Sequence, residues 1–584
     1  MAHIRGFHPI PNSAISVLSQ SNKEGLTEPD WKMLSHPSPT CRRPNYISLD
    51  SSWQKDLVSE TTNLYIRTLP SPVLQEGERF WLRFNGVDHQ AEVYLNGNRV
   101  GEHRGGFTPF SLDVTDELIP GENEIKVKVV DTTSSEQLLG KQSWREPHLC
   151  WYGPTVGIWK QVWGEVVHHE GIREIHLKPD ATGNSVTIDA DFAHEASGSL
   201  LSAKVTCMGE EVAYGVVKIK DHRGRLTLDL DCGLNHERKC LWSPEHPDLY
   251  EVELTVERAE TGELLDKAQS YFALRDLRTR DGRVLLNGEQ FYQNLVLEQA
   301  FYPEMGFSSP SIQTLWERLK DVKEMGFNGL RLHQTVVDPQ FLSICDRLGL
   351  VVWAEMPSFY KFSQNATFDY MRELGEFWKV YRNHPSVICW VLFNESWGLP
   401  SIQHDRAQQN LTVAMYHLMK SLDGDERFVV ANDGWQHTLT DLVTIHDYNS
   451  SPDSIRTRYK DLKEVVEGNP SLTASRPLFA DGFSYSGQPL VLSEYGGVKT
   501  ESEPGSWGYG EPPKNKKEAL RRIEELARAV RELPTVLGGS CYTQLMDVEQ
   551  ETNGLMAKDG QVKYEMSELR KIFGDGEGRG FVFA

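Results

Sequence analysis

Two short apolar runs constrain this chain more than any other feature. Residues 387–397 read VICWVLFNESW and residues 489–496 read PLVLSEYG. Each is rich in aliphatic and β-branched residues, lacks polar alternation and stops on a glutamate, Glu395 in the first and Glu494 in the second. An apolar run without alternation is the pattern of a strand covered on both faces, as in a parallel sheet flanked by helices. When parallel strands close into a barrel, their carboxyl ends open on one face, so residues far apart in the chain meet across one pocket. Both glutamates are therefore expected at strand ends on that face.

The flanking text predicts the same barrel. After Leu274, strand-like runs at 292–298, 329–333, 351–357, 387–395, 428–435, 442–448, 489–494 and 537–545 are separated by helical periods, clearest at 311–326, 339–348, 367–381, 402–422 and 517–531. Eight strands interleaved with helices predict a (β/α)₈ barrel over residues 274–584. No internal repeat exists beyond that alternation.

Upstream, the pattern is all β. Residues 1–40 carry Pro, Ser and Asn without periodicity and read as a loosely held arm. Residues 41–166 contain short alternating runs at 80–84, 91–95, 111–114, 124–130 and 158–166, with Asn96-Gly97 as a hairpin signal, and predict a β-sandwich. Residues 167–273 predict a second sandwich, with strands at 185–192, 203–208, 225–231 and 250–257. A chain of 584 residues has room for these separate cores.

A formal charge of −22 argues against nucleic acid or an anionic membrane as a partner, since both need a basic footprint. The opening residues hold no apolar core of signal-peptide length and no run is long enough to span a bilayer, so a cytoplasmic location is expected. The eight cysteines are scattered without a C-x-x-C pair and read as free thiols.

Two carboxyl groups facing each other across a pocket suit one reaction class especially. In retaining glycoside hydrolysis one protonates the leaving oxygen and the other attacks the anomeric carbon, the pair standing about 5–5.5 Å apart. The plainer reading is that each glutamate caps a strand or pairs with a basic side chain. Other strand-end residues would then set sugar specificity: Glu298, Gln299, Glu355, Asp433, Trp435, Gln544 and Asp547. Aromatic faces stack on sugar C–H groups and carboxylates accept sugar hydroxyls. No His-x-x-x-His or carboxylate cluster has metal-ligand spacing.

Residues 382–390, RNHPSVICW, followed by Asn394-Glu395, resemble the acid/base signature of glycoside hydrolase family 2. Residues 328–331, NGLR, with 346–353, DRLGLVVW, are similar to its other signature, and Ser493-Glu494-Tyr495-Gly496 resembles its nucleophile strand. The likeness extends loosely from Trp53 to Phe573. It implies a jelly-roll sugar-binding-like sandwich over 41–166, an immunoglobulin-like sandwich over 167–273 and a catalytic TIM barrel over 274–584. The stretch from Arg83 to Thr115 and the segment WSPEHPDLY at 242–250 are the most similar parts of the two sandwiches. Asp88 and His103 in the first are possible sugar ligands on this likeness, though turn and hydrogen-bond roles fit such residues better. The aromatic stretch Trp144, His148, Trp151 and Tyr152 is placed either at the barrel mouth or between domains.

The resemblance further implies that Glu395 is the acid/base and Glu494 the nucleophile. It implies that Asn394 binds the hydroxyl beside the anomeric centre, Arg331 keeps Glu494 ionised, and Tyr448 bonds the nucleophile. His333 follows Arg331 one residue earlier than the family histidine. Tyr542-Thr543-Gln544 stands where related barrels carry tryptophan, and WVLFNES lacks the serine of the WSxxNE form. Asn515-Lys516-Lys517 spells the glucuronidase Asn-x-Lys letters but lies at a helix start soon after the nucleophile, and reads as a solvated helix start. The implied activity is a retaining exo-glycosidase acting on carbohydrate without cofactor or metal, with a β-galactoside-type sugar as the leading expectation. β-Glucuronidase, galactofuranosidase or arabinosidase activity, a transglycosidase and a noncatalytic carbohydrate-binding relative are the alternatives, and assembly into a homo-oligomer is left open.

Overall fold

The structure is a computed structural model that describes residues 31–574 apart from 45, 51–52, 60, 144–145, 234–238, 304, 425, 468–475, 501–504 and 534. Most of the expected arm, and Trp144, therefore lie outside the described residues. The arm's end is a short helix, Trp31–Leu34, whose Met33 and Leu34 are buried. Trp31 meets Trp316 of the barrel edge-on, ring centroids 6.2 Å apart.

In the first sandwich a four-stranded sheet faces a five-stranded one. Strict alternation along Glu122–Val130 turns Ile125, Val127 and Val129 inward, onto Phe80, Leu82, Phe84 and Val93. Asn96 and Gly97 both take positive φ, 51° and 85°, the conformation of a two-residue hairpin turn, which Asn-Gly adopts at little cost. The second sandwich pairs Ile172–Asp180, Ser185–Phe192 and Arg223–Asp229 against a four-stranded sheet centred on Ser199–Cys207 and Tyr250–Arg258.

The barrel strands are β1 Gln293–Glu298, β2 Gly329–Leu332, β3 Val351–Glu355, β4 Val387–Val391, β5 Phe428–Val430, β6 Val443–Asp447, β7 Leu490–Gly496 and β8 Leu537–Thr543. They form one parallel sheet in the order β5-β4-β3-β2-β1-β8-β7-β6. The seam between β5 and β6 is held by Asp441 N–H to Val429 O at 2.9 Å and by Gly434 N–H to Thr444 Oγ1 at 3.0 Å. Leu295, Leu297, Trp353, Ile388, Val391, Val430 and Val491 fill the interior together with Trp242 and Val284 from the preceding segments. Trp242 Nε1 donates to Asp346 O at 2.8 Å, so the WSPE segment plugs the amino end of the barrel. The carboxyl end stays open.

The first sandwich is fastened to that open end. Leu139 N–H donates to Ser358 O at 2.9 Å. Arg104 pairs with Asp369 at 2.8 Å, Lys141 with Glu551 at 3.4 Å, and the Tyr152 hydroxyl donates to Glu551 at 2.7 Å.

One expectation needs correction. Strand β4 ends at Val391, so Glu395 stands in the following loop, whereas Glu494 lies within β7. Leu392 and Phe393 remain buried, but there the chain has left the ladder with β3. It follows the end of β5 and the stretch after it, through Leu392 N–H to Val430 O at 2.9 Å and Asp433 N–H to Phe393 O at 2.8 Å.

Candidate active site

Arg331 is the hub of the open end. It projects from β2 with no side-chain exposure and contacts carboxylates from three strand ends: Glu494 at 2.5 Å, Glu355 at 2.5 Å and Asp433 at 2.9 Å. Its Nη2 also donates to Asn394 Oδ1 at 2.8 Å. A fixed guanidinium fork can serve several acceptors at once, which a lysine ammonium cannot do in the same geometry. Burial opposes the charge on Arg331, but Asp433, Glu355 and Glu494 outweigh it and raise its pKa well above the ordinary value. The same attraction works in reverse on its partners. Burial alone would push the Glu494 carboxyl up; His446, then Arg331 and His333, and the Tyr448 hydroxyl bring it down to about 2. Glu494 is thus an anion across the working pH range.

Glu395 approaches from the other side. Its backbone φ is 52° and that of Ser396 is 61°, two successive non-glycine residues in the left-handed region, where each carries a steric cost. The turn is held by Glu395 N–H to Asp433 O at 2.9 Å, Ser396 N–H to Asn432 Oδ1 at 3.0 Å and Ser396 Oγ to Gln436 at 2.6 Å. It swings the carboxylate over the pocket, where the side chain keeps 20 % exposure against 6 % for Glu494.

His446 sits between them. Its Nδ1 lies 2.8 Å from Glu395 Oε1 and 3.4 Å from Glu494 Oε2, while Nε2 lies 2.7 Å from Asp433 Oδ2. A carboxylate oxygen of Glu395, one of Glu494 and a nitrogen of His446 all lie within 4.8 Å of one another. Burial opposes an imidazolium here; Glu494 and Asp433, with the hydrogen bonds to Asp433 and Glu395, prevail and raise His446 to about 10. Tyr448, just past the end of β6, donates its hydroxyl to Glu494 Oε2 and stacks on Tyr509 with centroids 3.5 Å apart.

Aromatic rings line the rim near Glu395. Trp397 lies 5.8 Å from the His333 ring, and Trp151 of the first sandwich lies 4.8 Å from Trp397 and 5.2 Å from Tyr360. Of the aromatic stretch, Trp151 thus reaches the mouth, Tyr152 anchors it through Glu551, and His148 points outward, exposed. Trp435 packs edge-on to His446 at 5.6 Å.

The other expected residues divide clearly. His333 joins the cluster, with Nδ1 at 3.1 Å from Glu355. Glu355 is buried, also accepts from Gln334 Nε2 at 2.7 Å, and is held below its ordinary pKa by Arg331 and His333 against its burial. Glu298 is not brought to the two glutamates: it turns back to accept from Ala300 N–H at 2.6 Å, and burial raises it to about 7. Gln299 and Gln544 bond each other at 2.7 Å. Asp547 pairs with Lys563 at 2.5 Å. Asp88 accepts from Gln142 at 3.0 Å inside the sandwich, and His103 stacks on Phe110 at 4.4 Å. Asn515 caps the helix Lys516–Arg531 through Glu518 N–H, as a helix-start residue should. Sequence reasoning missed His446, Trp397 and Gln334. His446 was legible, because period-2 alternation puts it on the same face as Tyr448; Trp397 and Gln334 depend on loop paths that no periodicity reports.

Comparison with known proteins bears on all three folding units. Residues 277–575 match the description "Glycosyl hydrolases family 2, TIM barrel domain", residues 171–275 match "Glycosyl hydrolases family 2", and residues 44–159 match "Glycosyl hydrolase 2 galactose-binding domain-like". A protein of Formosa agariphila named "Putative beta-glucuronidase" is 26 % identical over 387 residues, 65 % of this chain and 44 % of its own length. A beta-galactosidase of Thermoanaerobacter pseudethanolicus is 29 % identical over 333 residues, 55 % of this chain and 43 % of its own length. The matched part of this chain thus spans less than half the length of these curated relatives. Among solved structures, an FMN-binding beta-glucuronidase from Facaelibacterium prausnitzii L2-6 superposes with TM-score 0.72 at 20 % identity, covering 90 % of this chain and 86 % of that one. A beta-galacturonidase from Eisenbergiella tayi gives TM-score 0.71 at 19 % identity, covering 93 % and 99 %. These likenesses speak for the fold. With a family match over half its residues, set on the two-sandwich and barrel architecture, the chain belongs to glycosyl hydrolases family 2.

Proposed function

We propose that this chain is a retaining exo-β-glycosidase in which Glu494 is the nucleophile and Glu395 the acid/base. The observation that carries this reading is the separation of their carboxylate oxygens, within 4.8 Å. So close an approach of one oxygen from each carboxylate fits the short carboxyl spacing of a retaining enzyme, about 5–5.5 Å, better than the roughly 6.5–9.5 Å of an inverting one. In the first step Glu494 attacks the anomeric carbon while Glu395 protonates the departing oxygen. In the second, Glu395 takes a proton from water as that water displaces Glu494. Asn394, oriented by Arg331, offers its amide nitrogen to the sugar hydroxyl next to the reacting carbon, where the bond strengthens as charge develops. The more exposed Glu395 faces the leaving group, and the deeper Glu494 lies under the sugar.

For the sugar itself, a β-glucuronide is favoured over the β-galactoside expected from sequence. The support is the set of relatives: two of the curated ones carry the glucuronidase name against one galactosidase. A panel of aryl β-glycosides tests it, with kcat/KM for the glucuronide expected at least about tenfold above the galactoside, a difference of about 1.4 kcal/mol in transition-state binding. A reversed order returns the assignment to a galactoside.

Two variants test the geometry. Glu395→Ala should cost roughly 10² to 10⁴ in rate on alkyl glycosides, where acid help is needed, and far less on dinitrophenyl glycosides. Equal losses on both would remove Glu395 from the acid role. Trp151→Ala should raise KM for aryl leaving groups severalfold, since one aromatic contact contributes about 0.5–1.5 kcal/mol, with hydrolysis of the trapped glycosyl-enzyme unchanged. A slower second step instead would place Trp151 against the sugar.

A further inference from the structure

We propose that the proton used by Glu395 is stored on His446, which passes it to the carboxylate for the first step and recovers it in the second. This rests on the reading of Glu395 as acid/base and deepens it. The geometry carries the argument. Nδ1 is 2.8 Å from Glu395 Oε1, within proton-transfer reach, while Nε2 is fixed on Asp433 at 2.7 Å, so the ring cannot turn away. Gly434 permits this placement: a Cβ there would meet the His446 ring at 2.9 Å. The groups that bear on the ring are Glu395 after β4, Asp433 after β5, His437 in the β5–β6 loop, Glu494 in β7 and, through Asp433, Arg331 of β2. Three of these are carboxylates close to one imidazole, which favours its charged form. His437 bonds the Thr444 backbone and is lowered to about 4 by burial, so it stays neutral at working pH.

Each step balances. The proton moves from His446 Nδ1 to Glu395, leaving a neutral imidazole whose remaining N–H, on Nε2, still faces Asp433. Glu395 then gives that proton to the leaving oxygen as the glycosidic C–O bond breaks and the C–O bond to Glu494 forms. Esterified Glu494 no longer carries the charge that held the imidazolium, so the store empties at the step that needs the proton. Water next attacks the anomeric carbon, its proton goes to Glu395 and on to Nδ1, and the restored Glu494 anion holds it there. The sum is glycoside plus water giving sugar plus alcohol. His446 acts on the substrate only through Glu395.

The test is the pH dependence of kcat/KM for an alkyl glycoside in the full chain. For wild type the basic limb should lie above pH 8; for His446→Asn and His446→Gln it should fall by more than one pH unit, because a lone carboxyl must hold the proton. Loss at pH 8 should exceed about 10²-fold on the alkyl glycoside and stay under about tenfold on the dinitrophenyl glycoside. If the basic limb stays in place while Glu395→Ala still shows its leaving-group dependence, the proton store is wrong and the acid/base assignment stands. If Glu395→Ala loses both substrates equally, it is the assignment that fails. Should the variants not fold, ¹⁵N-histidine spectra of wild type decide: one imidazolium protonated on both nitrogens above pH 8 supports the store, and its absence overturns it.

Discussion

Glu494→Gln is expected to abolish turnover on every glycoside tested, with a loss on the order of 10⁵ to 10⁶ in kcat, as when other covalent nucleophiles are removed. The amide oxygen can still accept from Arg331 and the amide NH2 can donate to the Tyr448 hydroxyl oxygen, but the amide cannot form the ester. Folding should survive, because Arg331 keeps Glu355 and Asp433 as counter-charges. A 2-fluoro glycoside of the preferred sugar should label wild type on Glu494, read by peptide mass mapping. A label on Glu395 or Glu355 would reverse the assignment of roles.

The second large effect is expected at Arg331. Arg331→Met removes the one guanidinium shared by Glu355, Asp433 and Glu494, all buried. Stripping the partner from a buried ion cluster costs about 3–5 kcal/mol, and activity should vanish with it. Arg331→Lys restores a charge without the fork and should be intermediate in both respects. The pH dependence has a defined sign. The carboxyls of Glu355, Asp433 and Glu494 are held below their ordinary values in the fold, Glu494 at about 2. The stabilisation they contribute is therefore present above about pH 4, the unfolded value, and is lost as pH falls toward the folded ones. The deficit of Arg331→Met should be greatest near pH 7 and shrink on acidification, measured as the midpoint of urea unfolding. A deficit that does not change with pH would mean that packing, not charge, holds the hub.

Much of the barrel was legible because its strands are buried on both faces and read as uninterrupted apolar runs. Helix 339–348 shows why its ends were legible too. Pro339 opens it, and Gly349 closes it at φ 70°, a left-handed cap that glycine adopts freely. The end of β4 was not, since Leu392 and Phe393 stay apolar after the ladder stops: burial continues where strand pairing does not. Edge strand Glu210–Lys218 was also hidden, because it leaves Tyr214 and Val216 exposed and lacks a clean inner face. Within the site, the two glutamates, Asn394, Arg331 and Tyr448 could be read from short text around strand ends. Glu298 and Gln544 could not be sorted from Glu355 that way: all stand near strand ends, and loop direction alone decides which side chains face the pocket.

The rim contributed by Trp151 has a consequence for how such a chain can change. That ring hangs on a sandwich loop clamped by Lys141 and Tyr152 to Glu551, whereas both glutamates and the Arg331 hub belong to the barrel. On the roles proposed above, selection could alter what leaves without disturbing what reacts. Swapping the loop between relatives would transplant a taste for one aglycone onto an unaltered reaction centre, and it would travel as a single inherited segment as long as the Glu551 clamp came with it.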